Sequence, residues 1–438
     1  MGGWVLGFKG QIGLWNDDAI MGWIVGPDPG SPVELEAVLD GKVIGTFVAN
    51  EYRADLSNSL SSDGKCGFRF SFPAHIPRKT RSRTRLRFAG SHLFLEPTVR
   101  APSKPPEEKP AIRIIESFDA DPAAFKSKFG GLWIDRYDWF DILAERHRRG
   151  QISDAVADQI MRFNRDGYVI LTGAVSEALV DELNEDIERF WSAPPQGLFI
   201  STTEPDHKAK VVPPLLAYRD GKTKMLDAYV FSESARRAVA NDSSLAFLNA
   251  IFEEMPKAFQ GLTFWNGSEQ EIHKDTAYVR VKENPMAMVA SWLALEDIAA
   301  GTGELDYFVG SHRAPDYLFG GTSKWMVSEA GDFTSEHNRF LASLHADARK
   351  YGFTKSSFLA KKGDVLIWHA DLAHGGSPVT QKGRSRKSLV THFCPNSHTP
   401  NYMNGALPRA AVDGACAFVS AHSPAHLRNI EKRKESVA

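Results

Sequence analysis

Over residues 1–100 hydrophobic and polar positions alternate in short runs separated by turn residues. Met21-Gly22-Trp23-Ile24-Val25 closes at Gly26-Pro27-Asp28-Pro29-Gly30. Val33 to Leu39 alternates apolar and acidic residues, and Asp40-Gly41 predicts a tight hairpin into Lys42–Val48. Gly67–Pro73 and Thr84–Phe88 continue the pattern, which predicts a β-sandwich of about 100 residues. Residues 101–111 are a Pro-rich, charged linker. The period then becomes helical at Trp139–Arg149 and Ser153–Arg165, and Phe163–Leu171 turns a helix into a strand. Ser176 caps a further helix with Val180, Leu183 and Ile187 on one side. Later apolar runs, Leu262–Trp265 and Val365–Trp368, read as buried strands of a second domain spanning 112–400. Residues 313–357 interrupt it. Their Gly320-Gly321 pair and the aromatics Tyr317, Phe319 and Trp325, taken as exposed, suggest a lid, with structural padding as the alternative. Residues 401–438 form a C-terminal extension ending in Arg428, Lys432, Arg433 and Lys434, read as a solvated helix.

Composition narrows the class. With 42% hydrophobic and 24% charged residues and a net charge of -2, nothing points to nucleic acid as a partner. Cys66, Cys394 and Cys416 are odd in number and far apart, which argues against a disulfide framework and for a reducing compartment. The N-terminus lacks a basic, apolar signal pattern, and no apolar run is long enough to span a membrane. The expectation is a cytoplasmic protein.

Candidate chemistry begins at His273-Lys274-Asp275. Two residues apart on an extended strand, His273 and Asp275 leave the same face. An imidazole and a carboxylate there are two members of a 2-His-1-carboxylate triad, the arrangement that holds Fe(II) with open positions. His345-Ala346-Asp347 and His369-Ala370-Asp371 repeat the spacing. A downstream histidine decides between them: His374, before Gly375-Gly376, follows His273 by 101 residues but His345 by only 29. The shorter span leaves too little room for the intervening strands. His369 has no well-placed histidine after it, since His392 falls about two strands on.

Several pieces in order resemble the phytanoyl-CoA dioxygenase-like Fe(II)/2-oxoglutarate oxygenases over about 151–395. They are Gln270 with His273-Lys274-Asp275, Ser291–Asp297, Gly303-Glu304-Leu305 leading to Val309–His312, Lys362-Gly363-Asp364, His374-Gly375-Gly376, and Arg386–Phe393. The resemblance implies a double-stranded β-helix of the jelly-roll or cupin kind, flanked by helices. It implies Fe(II) on His273, Asp275 and His374, with 2-oxoglutarate and O2 as cosubstrates. Asp275 implies hydroxylation, because related halogenases carry a small residue there. Arg386 is expected to take the distal carboxylate of 2-oxoglutarate, with Arg384 as rival. Trp292 and Gln270 are further cosubstrate candidates. The extra glycine after His374 leaves Ser377 as a carboxylate donor out of step with the family's His-Gly-Ser. Ser311 and His312 are expected to be structural.

The N-terminal pattern, with Gly22-Trp23, Val38–Gly41, Arg53–Leu56, Gly67-Phe68 and Pro73, resembles a module appended to bacterial glycosyltransferases and other polysaccharide enzymes. That points to a small-molecule or glycan substrate in cell-surface polysaccharide metabolism. Arg81, Arg83, Arg85 and Arg87 alternate as if along one strand face. They read as a solvated edge or as a contact with an anionic glycan or membrane surface. The alternatives are the same chemistry on an unrelated metabolite, with the sandwich used for dimerisation, and a non-catalytic sugar-binding protein.

Overall fold

The computed structural model describes residues 9–15, 18–26, 31–52, 64–81, 83–90, 94–97, 112–115, 123–205, 208–326, 333–401, 410–428 and 430. The chain divides into two compact units, one of residues 1–126 and 136–161, the other of 127–135 and 162–438. The linker at 101–111, Arg53–Leu56 and the basic residues at 432–434 lie outside the described residues.

In the first unit, β1 (Lys9–Trp15), β2 (Ala19–Val25), β5 (Glu51–Tyr52) and β6 (Lys65–Ser71) form one antiparallel sheet in the order β1-β2-β6-β5. A second has the order β4-β3-β7-β8-β9, from β3 (Val33–Leu39), β4 (Lys42–Ala49), β7 (Thr84–Phe88), β8 (Phe94–Pro97) and β9 (Ile112–Ile115). Phe47 of β4 meets Phe68 and Phe70 of β6 at ring separations of 5.7 and 5.4 Å, which joins the sheets as a sandwich. Asp40 and Gly41 both have positive φ, 48° and 79°, as the hairpin turn requires. Because β9 pairs with β8, the sandwich extends to Ile115 rather than ending near residue 100.

The arginine stripe is corrected. Arg81 ends the short helix α1 (Arg78–Arg81), Arg83 precedes β7, and only Arg85 and Arg87 lie on that strand. β7 is also interior to its sheet, between β3 and β8. Arg81 donates to Ile76 O, Arg83 pairs with Asp40, and Arg87 pairs with Glu36. This unit also contains α2 (Trp139–Arg148) and the start of α3 (Asp154–Asp166), close to the helices expected.

The second unit holds a ten-stranded sheet. Its strands are β10 (Tyr168–Leu171), β11 (Phe199–Thr202), β12 (Lys210–Val212), β13 (Thr223–Leu226), β14 (Pro256–Phe264), β15 (Val289–Ala294), β18 (Val365–His369), β20 (Ser388–Pro395), β21 (Ala411–Asp413) and β22 (Cys416–Phe418). The main path runs β10-β18-β15-β20-β14-β13-β11-β12, and β22 joins β14 in parallel. The extension after residue 401 is therefore partly sheet, a correction to its reading as a solvated tail. A smaller sheet has the order β17-β16-β19, from β16 (Leu305–Phe308), β17 (Lys355–Phe358) and β19 (His374–Gly376). Trp292, Leu366 and Trp368 of the large sheet share a buried core with Tyr307 and Phe358 of the small one. Two facing sheets around such a core make the double-stranded β-helix. α4 (Glu177–Ser192), capped by Ser176 Oγ accepting from Leu179 N, buries Val180, Leu183 and Ile187, and α5 (Glu233–Val239) and α6 (Asp242–Phe252) precede β14.

The insert is not a loose loop. Its described part includes the 19-residue helix α7 (Phe333–Tyr351). Phe319, expected to be exposed, is 1% exposed and packs with Phe340, Leu344 and Ala348 of α7. Tyr317 and Trp325 are half-buried, and Lys324 Nζ lies buried between Asp316 and Asp371.

Candidate functional site

His273 does not lie on a continuous strand. It forms an isolated bridge with His374, His273 N donating to His374 O at 2.8 Å and His374 N to His273 O at 2.9 Å. The two imidazoles thus come side by side, ring centroids 4.5 Å apart. Lys274 keeps extended backbone, φ -115° and ψ 136°, and Asp275 then opens a 3-10 turn. One extended residue suffices to put His273 and Asp275 on the same side. Gly375 and Gly376 permit this approach: a Cβ on Gly375 would stand 2.6 Å from Gln270 O, and one on Gly376 2.7 Å from Ser268 Oγ.

His273, Asp275 and His374 offer ligand atoms that all lie within 4.8 Å of one another, in a buried cluster. The two histidine Nε2 atoms stand 3.8 and 3.7 Å from Asp275 Oδ1. Each imidazole has Nδ1 beside a backbone carbonyl, Glu271 O at 2.8 Å and Leu372 O at 2.9 Å. A proton on Nδ1 donated to that carbonyl leaves the Nε2 lone pair directed at the shared space. Burial, then the neighbouring His374, pushes the His273 pKa down to about 3, so the ring is neutral near pH 7. Asp275 is held well below the usual carboxylate range: burial opposes ionisation, but His374 and His392 outweigh it. Trp368 Nε1 donates to Asp275 Oδ2 at 2.8 Å and fixes that carboxylate. Two neutral imidazoles and one carboxylate, each oriented from behind, fit a divalent iron ion.

Arg386 lines the same inner pocket with Gln270 and Trp292. Its guanidinium is buried, donates Nε to Gly303 O at 2.8 Å and Nη1 to Ser388 Oγ at 2.6 Å, and forms no ion pair among the described residues. Burial lowers its pKa to about 10, which still leaves it cationic. Free donors on a buried cation fit a carboxylate ligand. Arg384 is instead exposed and bonded to Gln381. Gln270 Nε2 lies 3.2 Å from His273 Nε2, and Trp292 places its ring 5.5 Å from the Arg386 guanidinium carbon.

Ser377 is a correction. Its hydroxyl donates to Glu304 O at 3.0 Å, and it lines a separate outer cavity, because strand alternation turns it away from the face of His374. The rival histidines also separate from the cluster. His369 Nε2 bonds Asp135 at 3.0 Å while its Nδ1 accepts from Asp371 N, and His345 lies on α7 against Phe308. His312 Nε2 bonds Asn164 O, and Ser311 Oγ accepts from Ala373 N.

Sequence reasoning missed Lys224, Ser268, Trp368 and His392, all of which line the inner pocket. Burial lowers the Lys224 pKa, partly offset by Asp275. The signal that could have found Trp368 was its register: Trp368 and Leu366 alternate with Ile367 and His369 and therefore face inward. His392 Nε2 is 3.4 Å from Asp275 Oδ2.

Comparison with solved structures finds matches at low identity. The epimerase SnoN, in complex with Fe3+, alpha ketoglutarate and nogalamycin RO, is 16% identical over 56% of this chain and 85% of its own, TM-score 0.41. The non-heme alpha ketoglutarate dependent carbocyclase SnoK is 14% identical over 56% and 86%, TM-score 0.40. EctD from S. alaskensis is 17% identical over 54% and 76%, TM-score 0.40. No curated protein matches by sequence. The phytanoyl-CoA dioxygenase (PhyH) family model matches residues 163–388, just over half of the chain and the whole span that carries the histidine pair, the carboxylate and the buried arginine. The chain belongs to the phytanoyl-CoA dioxygenase family of iron- and 2-oxoglutarate-dependent oxygenases.

Proposed function

We propose that the chain hydroxylates a small molecule or glycan intermediate, with Fe(II) held by His273, Asp275 and His374. The observation that carries this reading is the convergence of two imidazole Nε2 atoms and one carboxylate in a pocket with a buried guanidinium that forms no ion pair among the described residues. The bound iron supplies oxygen activation coupled to decarboxylation: substrate C–H, 2-oxoglutarate and O2 give C–OH, succinate and CO2.

The chain's own groups orient the reactants. Arg386 receives the distal carboxylate of 2-oxoglutarate, and the walls of Trp292 and Phe264 beside it exclude water, which strengthens that pair. Trp368 keeps Asp275 from rotating, and the two backbone carbonyls keep the histidines in one tautomer. In this reading Gln270, next to His273 Nε2, and Lys224, which lines the same pocket, contact the cosubstrate. The family-like N-terminal pattern supports a glycan substrate, with the sandwich as an accessory module. The test is succinate release by purified protein, expected to require Fe(II), 2-oxoglutarate and O2 and to stop on chelation. Release that survives complete iron removal would overturn the reading.

A further inference from the structure

Three histidines stand around the Asp275 carboxylate, and they divide between its two oxygens. His273 and His374 place Nε2 at 3.8 and 3.7 Å from Oδ1, whereas His392 places Nε2 at 3.4 Å from Oδ2. What lies behind each ring divides them in the same way. His273 and His374 have backbone carbonyls at 2.8 and 2.9 Å from Nδ1, which hold the proton there and free Nε2 for a metal. His392 is 4% exposed, and its Nδ1 has no hydrogen-bond partner among the described residues. With no acceptor at Nδ1 and a carboxylate beside Nε2, its proton belongs on Nε2. His392 therefore faces Asp275 as a donor, in the opposite tautomer to the histidine pair.

The large sheet brings this donor to the same oxygen as Trp368. Ala290 of β15 is paired with Trp368 on one side and with His392 on the other, so the three side chains leave one face of the sheet. Ala290 and Trp368 belong to the core between the sheets, which makes that face the inner one. A single methyl group between the two rings lets their centroids approach to 6.4 Å. Trp368 Nε1 donates to Oδ2 at 2.8 Å, and His392, with the Phe259 ring 5.9 Å away, covers the same oxygen at the longer distance. Oδ1 is thus turned to the histidine pair and Oδ2 to two ring N–H groups. A carboxylate whose second oxygen is free can close onto a metal through both. That would take one of the positions the triad leaves open, which the cosubstrate and O2 share.

We propose that His392 is a positioning residue of the iron site. With Trp368 it holds Asp275 Oδ2, keeps the carboxylate to a single metal bond, and so preserves the position at which O2 enters. The inference rests on the oxygenase reading of the inner pocket.

The test compares the full chain with His392→Phe, which keeps a ring and removes the donor, and His392→Gln, which keeps an N–H. Trp368→Phe removes the other donor. Iron content at saturating Fe(II), anaerobic 2-oxoglutarate affinity and melting temperature are measured for each. Nitric oxide, standing in for O2, is then titrated into the anaerobic Fe(II)–2-oxoglutarate protein and followed by visible absorption. His392→Phe should keep one Fe(II) per chain and cosubstrate affinity within about threefold, but bind nitric oxide roughly tenfold more weakly. Trp368→Phe should weaken nitric oxide binding in the same direction. His392→Gln should recover it to within about threefold of the full chain. Loss of iron in either His392 variant would make that ring a ligand and overturn the proposal. Unchanged nitric oxide binding in His392→Phe or Trp368→Phe overturns it as well. Equal weakening in His392→Phe and His392→Gln also overturns it, because packing rather than the donor would then be responsible. A full chain that binds no iron is a different result, and overturns the oxygenase reading instead.

Discussion

Arg386 illustrates why a single side chain can decide cosubstrate use. It is a cation held in a buried wall by one carbonyl and one hydroxyl, with donors left over. Arg386→Leu removes the partner of the distal carboxylate, and anaerobic 2-oxoglutarate binding should weaken by about 2–5 kcal/mol. Iron binding without cosubstrate should change little, and Arg384→Leu should leave both unchanged, as isothermal titration of each ligand would show. His273 gives a pH dependence. Its folded pKa of about 3 lies below the unfolded value of about 6.5, so between these values the unfolded chain binds more protons. Stability from this group is complete above the unfolded value and is lost as pH falls towards the folded one. The metal-free protein should therefore lose up to about 1.4 kcal/mol per pH unit in that window, and His273→Gln should flatten the melting profile. An unchanged profile would mean that His273 is not buried as a neutral ring. The proposed ligand residues were legible in the sequence because His273 and Asp275 are two residues apart and the Gly-Gly pair marks the second histidine. Ser377 was not, because one added glycine shifts the alternation and only the pairing of β19 with β16 reveals which face it takes. His392 read as an ordinary buried strand residue, and nothing local tells a core ring from one beside a carboxylate.

Among the elements, the bridge between the His273 segment and β19 organises the site. Gly375 lies where any side chain would strike its neighbours, its Cβ falling 2.6 Å from Gln270 O and 2.9 Å from Ile272 N. Gly375→Ala should push the 270–272 segment away, break the reciprocal His273–His374 bonds and lower iron affinity at least tenfold, against a fall in melting temperature of only a few degrees. Normal iron uptake by a folded Gly375→Ala protein would show that this close approach is dispensable. Strand periodicity was readable across both units: Val33–Leu39, Thr84–Phe88 and Tyr168–Leu171 form where the alternation places them. The arginine stripe failed because α1 ends at Arg81, so the four residues do not share one strand. The exposure expected of Tyr317 and Phe319 was wrong because they serve a local core under α7, and Lys324 joins Asp371 only through the fold. Long-range pairing of this kind leaves no trace in local periodicity.

For the molecule as a whole, every inner-pocket residue lies at or after Lys224, whereas the sandwich strands end at Ile115. A chain beginning near Ala123 should keep iron binding and substrate-free succinate formation within about twofold of the full chain, since no proposed ligand or counter-ion is removed. A folded but inactive shortened chain would make the sandwich part of the catalytic apparatus. Among the described residues no helix is long and apolar enough to cross a membrane. His273, Asp275 and His374 are proposed to hold the metal, while His369 bonds Asp135. That division is tested most directly by iron content after anaerobic loading of the full chain, His374→Ala and His369→Ala. The expected result is one Fe(II) per chain in the first and third and loss of iron in the second, with His369→Ala showing only a lower melting temperature. Equal loss in both variants, or loss in His369→Ala alone, would contradict it.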